Sequence, residues 1–375
     1  MEYTEYYCTI DNLKETLDLY GVAVIKNVCP PDECHKLINQ FWSELNELTS
    51  LMEIPLDQHD SKTWRTLYEL YPLHSMLIQY FGIGHFQSIW TVRQNPTIGD
   101  IFAKIHNCSK NDLLVSFDGA SIHLPPEKTG KGWFREGNWL HTDQSPKRNE
   151  LSIQGMVTLN DINDKDATLM ILESSHKFHE EFFLEKYEGR ELPKDDWYKI
   201  NDDVDWFIAK GCARKCVKAE AGSLILWNSK TMHQGIEPQK NRKKENTRIV
   251  FYVCESPKVW ATELNLKKKI KAFNELRTTS HYPHQPKLFP LAPRTYGGPL
   301  PNVKKLQQPI LSNYGKLLAG FTLTDFCNKN IQTSINDFIS ENCKTNEINN
   351  GINQISDDNI IVKPKKKSNK SNNKK

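Results

Sequence analysis

The chain has 375 residues, enough to bury a large core, and its 49 basic and 46 acidic residues leave a net charge of +3. That near-balance excludes a general polyanion binder for the body of the chain, and no run approaches the ~20 apolar residues of a membrane span. What positive excess there is sits at the end, where residues 363–375 hold seven lysines and no acid. Nine cysteines, an odd number with no CxxC pair, give no disulfide framework and no zinc pattern. The opening Met1-Glu2-Tyr3-Thr4-Glu5 lacks the basic and apolar segments of a secretory leader. An intracellular, cytoplasmic protein is expected, with the C-terminal lysine cluster as a candidate nuclear address.

In chain order, Leu13, Leu17 and Tyr20 recur at helical spacing and Gly21 ends that helix. Val22-Ala23-Val24-Ile25 reads as a short buried strand. Pro30-Pro31-Asp32-Glu33 opens a second helix with Leu37, Ile38, Phe41, Trp42, Leu45 and Leu48 on its apolar side. Residues 64–107 are helical and aromatic-rich, a packing layer with no chemistry of its own. From Leu113 the period changes, and residues 115–122 alternate as a strand. In residues 151–159, Leu151, Ile153, Val157 and Leu159 form one face. Ser152, Gln154, Met156 and Thr158 form the other, which lines an interior if the apolar face packs against helices. Thr168 to Leu172 is a further strand, and His176 serves the start of a helix. Residues 185–210 are a long insertion. Residues 213–218 and 222–227 read as a hairpin pair, with Trp227 a core residue. Residues 240–245 form a solvated turn, and 247–254 a last long strand. Leu264 to Arg277 is a basic helix, and His281 to Tyr296 wraps the body. Many short strands separated by turn signals predict a mainly β fold, a jelly roll or barrel with flanking helices.

The chemistry concentrates in Trp139-Leu140-His141-Thr142-Asp143. In a strand, His141 and Asp143 point to the same side. Two such ligands plus a third from elsewhere hold three neighbouring positions of an octahedral ion, the two-His-one-carboxylate arrangement of non-haem iron oxygenases. His233, downstream in Thr231-Met232-His233-Gln234-Gly235, is the candidate third ligand.

Taken in order, these segments resemble the phytanoyl-CoA dioxygenase-like family of Fe(II)- and 2-oxoglutarate-dependent oxygenases, across roughly residues 11–256. The resemblance rests on the opening helix, Gly21-Val22-Ala23-Val24-Ile25 and Pro30-Pro31-Asp32-Glu33-Cys34. It continues through His141-Thr142-Asp143, Ala167-Thr168-Leu169 to Ser174-Ser175-His176-Lys177, and Gly222-Ser223-Leu224-Ile225 leading to His233. It implies a double-stranded β-helix (jelly-roll, cupin-like) core, with His141, Asp143 and His233 as iron ligands. Arg248 would grip the cosubstrate 2-oxoglutarate, while Gln154 and Met156 face the cofactor cavity. The implied reaction uses O₂ to hydroxylate a small organic substrate and releases succinate and CO₂. Retention of Asp143 favours hydroxylation over halogenation, whose enzymes in the wider family lack that carboxylate. Met156 stands where the family has Trp, Gly235 where it has a small polar residue, and Glu173-Ser174 where it has Pro-Gly. A cupin-like metal-binding protein without oxygenase activity is the alternative, and Arg248 discriminates between the two.

The domains read as an oxygenase-like unit over 1–300 with an N-terminal helical layer, a helical extension over 301–340, and a disordered Asn/Lys-rich tail over 341–375. The substrate pocket is expected from loops 119–138 and 185–210. The expected partner is a small molecule, with no membrane and no nucleic acid beyond weak contact through the lysine tail. Deleting the chain from about residue 345 is expected to leave melting temperature and metal binding unchanged and to remove only salt-sensitive adhesion to nucleic acid. A thermal melt and a metal titration of the truncated chain check this.

Overall fold

In the computed structural model, which describes residues 5–322 apart from 136, 138, 201 and 202, the opening of the chain forms the helix–strand–helix layer that its periodicity predicts. The helix Leu13–Tyr20 stops at Gly21, whose φ of 77° is left-handed. A Cβ there would lie 2.5 Å from the His176 ring, so the position needs glycine on both counts. His176 in turn bonds the Asp18 carbonyl at 3.0 Å, a structural role as expected. The helix Pro31–Thr49 begins with Pro at its first turn and two acids, which suit its positive end. Its buried stripe includes Leu37, Phe41, Leu45 and Leu48.

Thirteen short strands occur among the described residues: β1 (Val22–Ile25), β2 (Leu77–Ile78), β3 (Leu113–Val115), β4 (Ala120–His123), β5 (His141–Thr142), β6 (Ile153–Thr158), β7 (Thr168–Leu172), β8 (Tyr198–Lys199), β9 (Arg214–Cys216), β10 (Leu224–Asn228), β11 (His233–Ile236), β12 (Arg248–Tyr252) and β13 (Glu255–Pro257). They build a six-stranded sheet in the order β1-β10-β6-β12-β4-β2, a five-stranded sheet in the order β8-β5-β11-β7-β9, and the pair β13-β3. The pairings between these strands are antiparallel.

The two large sheets face each other across a shared core. Val22, Val24, Met156, Ile225, Trp227 and Val250 from one meet Leu169 and Ile171 from the other. Side chains alternate between faces as strands require. On β12, Arg248 and Tyr252 look into the interior, whereas Phe251 packs outward at 5.1 Å from Phe41 of the long helix. The outer face of the smaller sheet is covered by the insertion. The preceding helix His179–Lys186 and the insertion's own helix Val204–Ala209 bring Phe182, Phe183, Val204 and Phe207 against Leu140 and Leu172. The described residues form one compact unit. The part of the 301–340 extension beyond residue 322, and the whole 341–375 tail, lie outside the described residues. Among the described residues no helix is long and apolar enough to cross a membrane.

Three expectations are corrected. Residues 115–122 are not one strand: β3 pairs with β13 while β4 joins the six-stranded sheet. The chain changes partner at Phe117-Asp118-Gly119, where a Cβ on Gly119 would lie 2.0 Å from the Ile78 carbonyl. Alternation continues through the break, so periodicity alone cannot reveal it. Residues 213–227 are not a hairpin either, because β9 pairs with β7 and β10 lies between β1 and β6. Gly222 (φ 77°) turns the chain from one sheet to the other, its N–H bonded to the Thr158 carbonyl at 2.7 Å.

The third correction concerns residues 240–245. Arg242 is not solvated: its side chain is 2% exposed and pairs with Glu127 at 2.6 Å and Asp166 at 2.9 Å. Removing one partner of a buried pair strands the other charge. Arg242→Ala is therefore expected to lower unfolding stability by about 3 kcal/mol in urea titrations. The hydrogen bond from Arg242 holds Glu127 below the usual carboxylate range. Its share of stability is present at neutral pH and is lost as pH falls through that lowered range.

Candidate functional site

The interior between the sheets opens as a cavity of about 920 Å³. His141 on β5 and His233 on β11 are direct cross-strand partners, so their rings lie side by side with centroids 4.4 Å apart. Asp143 follows β5, and its backbone N–H bonds the Ser229 carbonyl at 3.0 Å. Its Oδ2 lies 3.6 Å from Nε2 of His141 and 3.3 Å from Nε2 of His233. The ligand atoms of all three residues lie within 4.8 Å of one another.

Each imidazole is oriented from behind. Nδ1 of His141 lies 3.0 Å from the Trp139 carbonyl, and Nδ1 of His233 lies 2.8 Å from the Thr231 carbonyl. A carbonyl only accepts, so Nδ1 carries the proton in each ring and the Nε2 lone pair faces Asp143. Burial, then the neighbouring His141, hold His233 below its ordinary pKa, which favours the neutral ligand form. Burial alone would raise Asp143, but charge on His141 and hydrogen bonds from both rings, whenever Nε2 also carries a proton, hold its carboxyl well below the usual range; an ion bound at the two Nε2 atoms would take the place of those protons. Gln154 donates from Nε2 to Asp143 Oδ2 at 3.0 Å and fixes that carboxylate. Two neutral nitrogens and one charged oxygen, each oriented by a further group, fit a divalent ion such as Fe(II).

Arg248 lies in the same cavity, 3% exposed. Its neighbours are the Met156 sulfur at 3.3 Å and Nδ1 of His123 at 3.5 Å, and its Nε is buried without a hydrogen-bond partner. Burial pulls the guanidinium below its ordinary pKa, and His123 is held well below its own by burial and by Arg248. Nearby, the Tyr252 hydroxyl bonds Ser121 at 3.0 Å. Trp227, expected in the core, is 3% exposed and also lines the cavity, with its Nε1 lacking an acceptor. A buried guanidinium whose acceptors are a sulfur and an imidazole, with its Nε unpartnered, and an indole N–H without an acceptor among the described residues suit a carboxylate ligand.

The structure thus brings His141, Asp143, His233, Gln154, Met156 and Arg248 into one cavity. The walls differ from expectation. No described residue of 119–138 lines it, and only 194–197 of the insertion do; segments 73–79 and 280–289 supply much of the rest. Trp139 stacks on His141 and on His74, each at 4.9 Å. Gly235 is explained by this turn, since a Cβ there would meet Ser75 Oγ at 2.1 Å. Behind Asp143, the Tyr282 hydroxyl donates to its carbonyl at 2.7 Å, and His281 Nε2 lies 3.2 Å from the same oxygen. The wrapping course of residues 281–296 is legible in the sequence, but nothing local to His281 or Tyr282 marks contact with position 143. His123 gave no signal at all, being an ordinary polar position on a buried strand.

No family model matches the chain. It is 29% identical over 272 residues to Ava biosynthesis cluster protein O of Aspergillus versicolor, covering 71% of this chain and 83% of that protein. It is 21% identical over 278 residues to the "Putative phytanoyl-CoA dioxygenase" of Dictyostelium discoideum, covering 64% and 74%. Among solved structures, the hypothetical protein JW0805 of Escherichia coli at high pH matches at TM-score 0.54 and 14% identity, over 84% of this chain and 85% of that one. That likeness is one of fold.

Gln154→Leu is expected to weaken Mn(II) binding roughly tenfold by freeing the Asp143 carboxylate, and Asp143→Ala to abolish it. Calorimetric titration with Mn(II) measures both, and a melt near that of the parent confirms that the fold persists.

Proposed function

We propose that this phytanoyl-CoA dioxygenase-like chain is an Fe(II)- and 2-oxoglutarate-dependent oxygenase that hydroxylates a small organic substrate. One observation carries the reading: the His141–Asp143–His233 cluster and a buried guanidinium with no carboxylate partner among the described residues share one cavity. The two facing antiparallel sheets, with the His pair between them, support a double-stranded β-helix core. The name of the Dictyostelium relative agrees with an oxidoreductase of this kind.

Three protein ligands leave three positions of an octahedral ion for a two-point 2-oxo acid and O₂. When bound, the iron with its cosubstrate supplies the oxidising power, with 2-oxoglutarate converted to succinate and CO₂. The residues do the rest. Asp143 balances charge, and Gln154 keeps its Oδ2 turned toward the two Nε2 atoms. Arg248 offers a permanently charged fork to the distant carboxylate, and burial strengthens that interaction. Met156 and His123 flank the fork, and Trp227 lines the same cavity.

In purified protein, Fe(II), ascorbate and 2-oxoglutarate are expected to give slow succinate formation without added substrate. Arg248→Ala is expected to lose 2-oxoglutarate binding by at least about tenfold in calorimetry, as loss of a charge-assisted pair implies, while Mn(II) affinity stays at the parent value. Retained 2-oxoglutarate binding would turn the reading to a cupin-like metal-binding protein without oxygenase activity.

A further inference from the structure

Within the same cavity stands a second acid that neither the metal cluster nor Arg248 accounts for. Asp118 lines the cavity and is 8% exposed. It sits where the chain leaves β3 for β4, and its backbone is held on several sides. The Arg93 guanidinium donates to the carbonyls of Gly84 and Asp118. The Phe117 N–H bonds Thr279 Oγ1 at 3.1 Å, and Gly119 passes too close to the Ile78 carbonyl to carry a Cβ. A side chain on so constrained a turn has little freedom to swing away.

Its carboxylate receives one internal donor, Ser116 Oγ at 2.5 Å. The cations nearby make their hydrogen bonds elsewhere. Arg93 grips backbone carbonyls, and Lys269 donates to the Val115 carbonyl with its ammonium 3.9 Å from the Phe117 ring centre. Among the described residues no Lys or Arg side chain pairs with the Asp118 carboxylate. Asp143 and His281 are close enough for their charges to act on it, which places it near the metal cluster. Burial raises its pKa in spite of the Ser116 hydroxyl, His281 and Arg93, which pull it down.

We propose that Asp118 is the substrate-recognition acid of this cavity and that the substrate is an amine whose ammonium group pairs with it. An ammonium supplies both the missing donors and the missing charge, and a buried carboxylate gains most from a partner with both. Lys268 and Lys287 also line the cavity and have no ion-pair partner among the described residues. The cavity therefore suits a molecule with a single cationic point, not a polycation. This inference rests on the oxygenase reading of the site.

The test uses the full chain loaded with Mn(II) and 2-oxoglutarate. Binding of both is measured first, and their absence would mean that the oxygenase reading itself fails. The probes are n-pentylammonium, pentan-1-ol and pentanoate, followed by NMR as paramagnetic broadening of each probe by the bound Mn(II). The expected result is saturable broadening of pentylammonium in preference to the other two, with affinity falling roughly tenfold or more in Asp118→Asn. Ser116→Ala, which leaves the carboxylate in place, keeps the ammonium preference and serves if Asp118→Asn misfolds. Three results each overturn the proposal while leaving the oxygenase reading standing: equal binding by Asp118→Asn, preference for pentanoate or pentanol, or no broadening of any probe by a protein that binds Mn(II) and 2-oxoglutarate.

Discussion

The site depends on the register between β5 and β11. His233 pairs directly with His141, so both rings project from one face of the sheet at adjacent strand positions. A slip of one residue would turn His233 to the opposite face. Packing resists that slip from both sides. Ile171 beside His233 belongs to the core between the sheets, while Leu172, Met232 and Leu140 are buried under the insertion. The hydrophobic pattern that builds the smaller sheet is therefore also what sets the imidazoles in place. The carbonyls of Trp139 and Thr231, each two residues before a His, then fix the ring tautomers. Strand geometry alone supplies most of the precision a metal ligand needs.

A second constraint is how buried positive charge is distributed. Arg93 directs donors at backbone carbonyls, and Arg242 meets two carboxylates. Arg148 engages Asp196 and stacks over Tyr282 at 4.1 Å. Arg248 has a thioether and a neutral imidazole instead. Burying a guanidinium against such weak partners costs stability. That cost is understandable in a ligand cradle and hard to explain in a purely structural role. The contrast with Arg242, six positions away, separates structure from candidate function within one stretch of chain.

Much of this was legible in the sequence. Helical spacing marked the long helix over residues 31–49, and the alternation around Gln154 and Met156 identified their inward face. His141 and Asp143 could be singled out because strands present alternate residues to one side, His233 as the third ligand that the chemistry needs from further downstream, and Arg248 because the family resemblance implies a cosubstrate arginine there. What stayed hidden depends on tertiary pairing. Residues 115–122 alternate across a change of sheet, and residues 213–227 look like a hairpin although each strand has another partner. Arg242 sits among lysines, and nothing nearby in sequence shows Glu127 and Asp166 closing over it. Asp118 and His123 carry no local mark, because their meaning comes from a cavity assembled by distant segments.

That assembly couples the mouth of the cavity to its interior. The Asp143 carbonyl accepts from Tyr282, and the Tyr282 ring lies under Arg148. Arg148 in turn holds Asp196 through two nitrogens and Gln285 through a third. Asp196 precedes Trp197, which is 55% exposed in the cavity wall and 5.9 Å from the His141 ring. Three segments distant in sequence (residues 143–148, 193–197 and 281–285) thus meet at one guanidinium. Because Arg148 presents a planar fork and a stacking face together, lysine could not replace both contacts. The backbone at Asp143 is therefore supported from outside the strand that carries His141, by Tyr282 and by the Arg148 contacts packed around it.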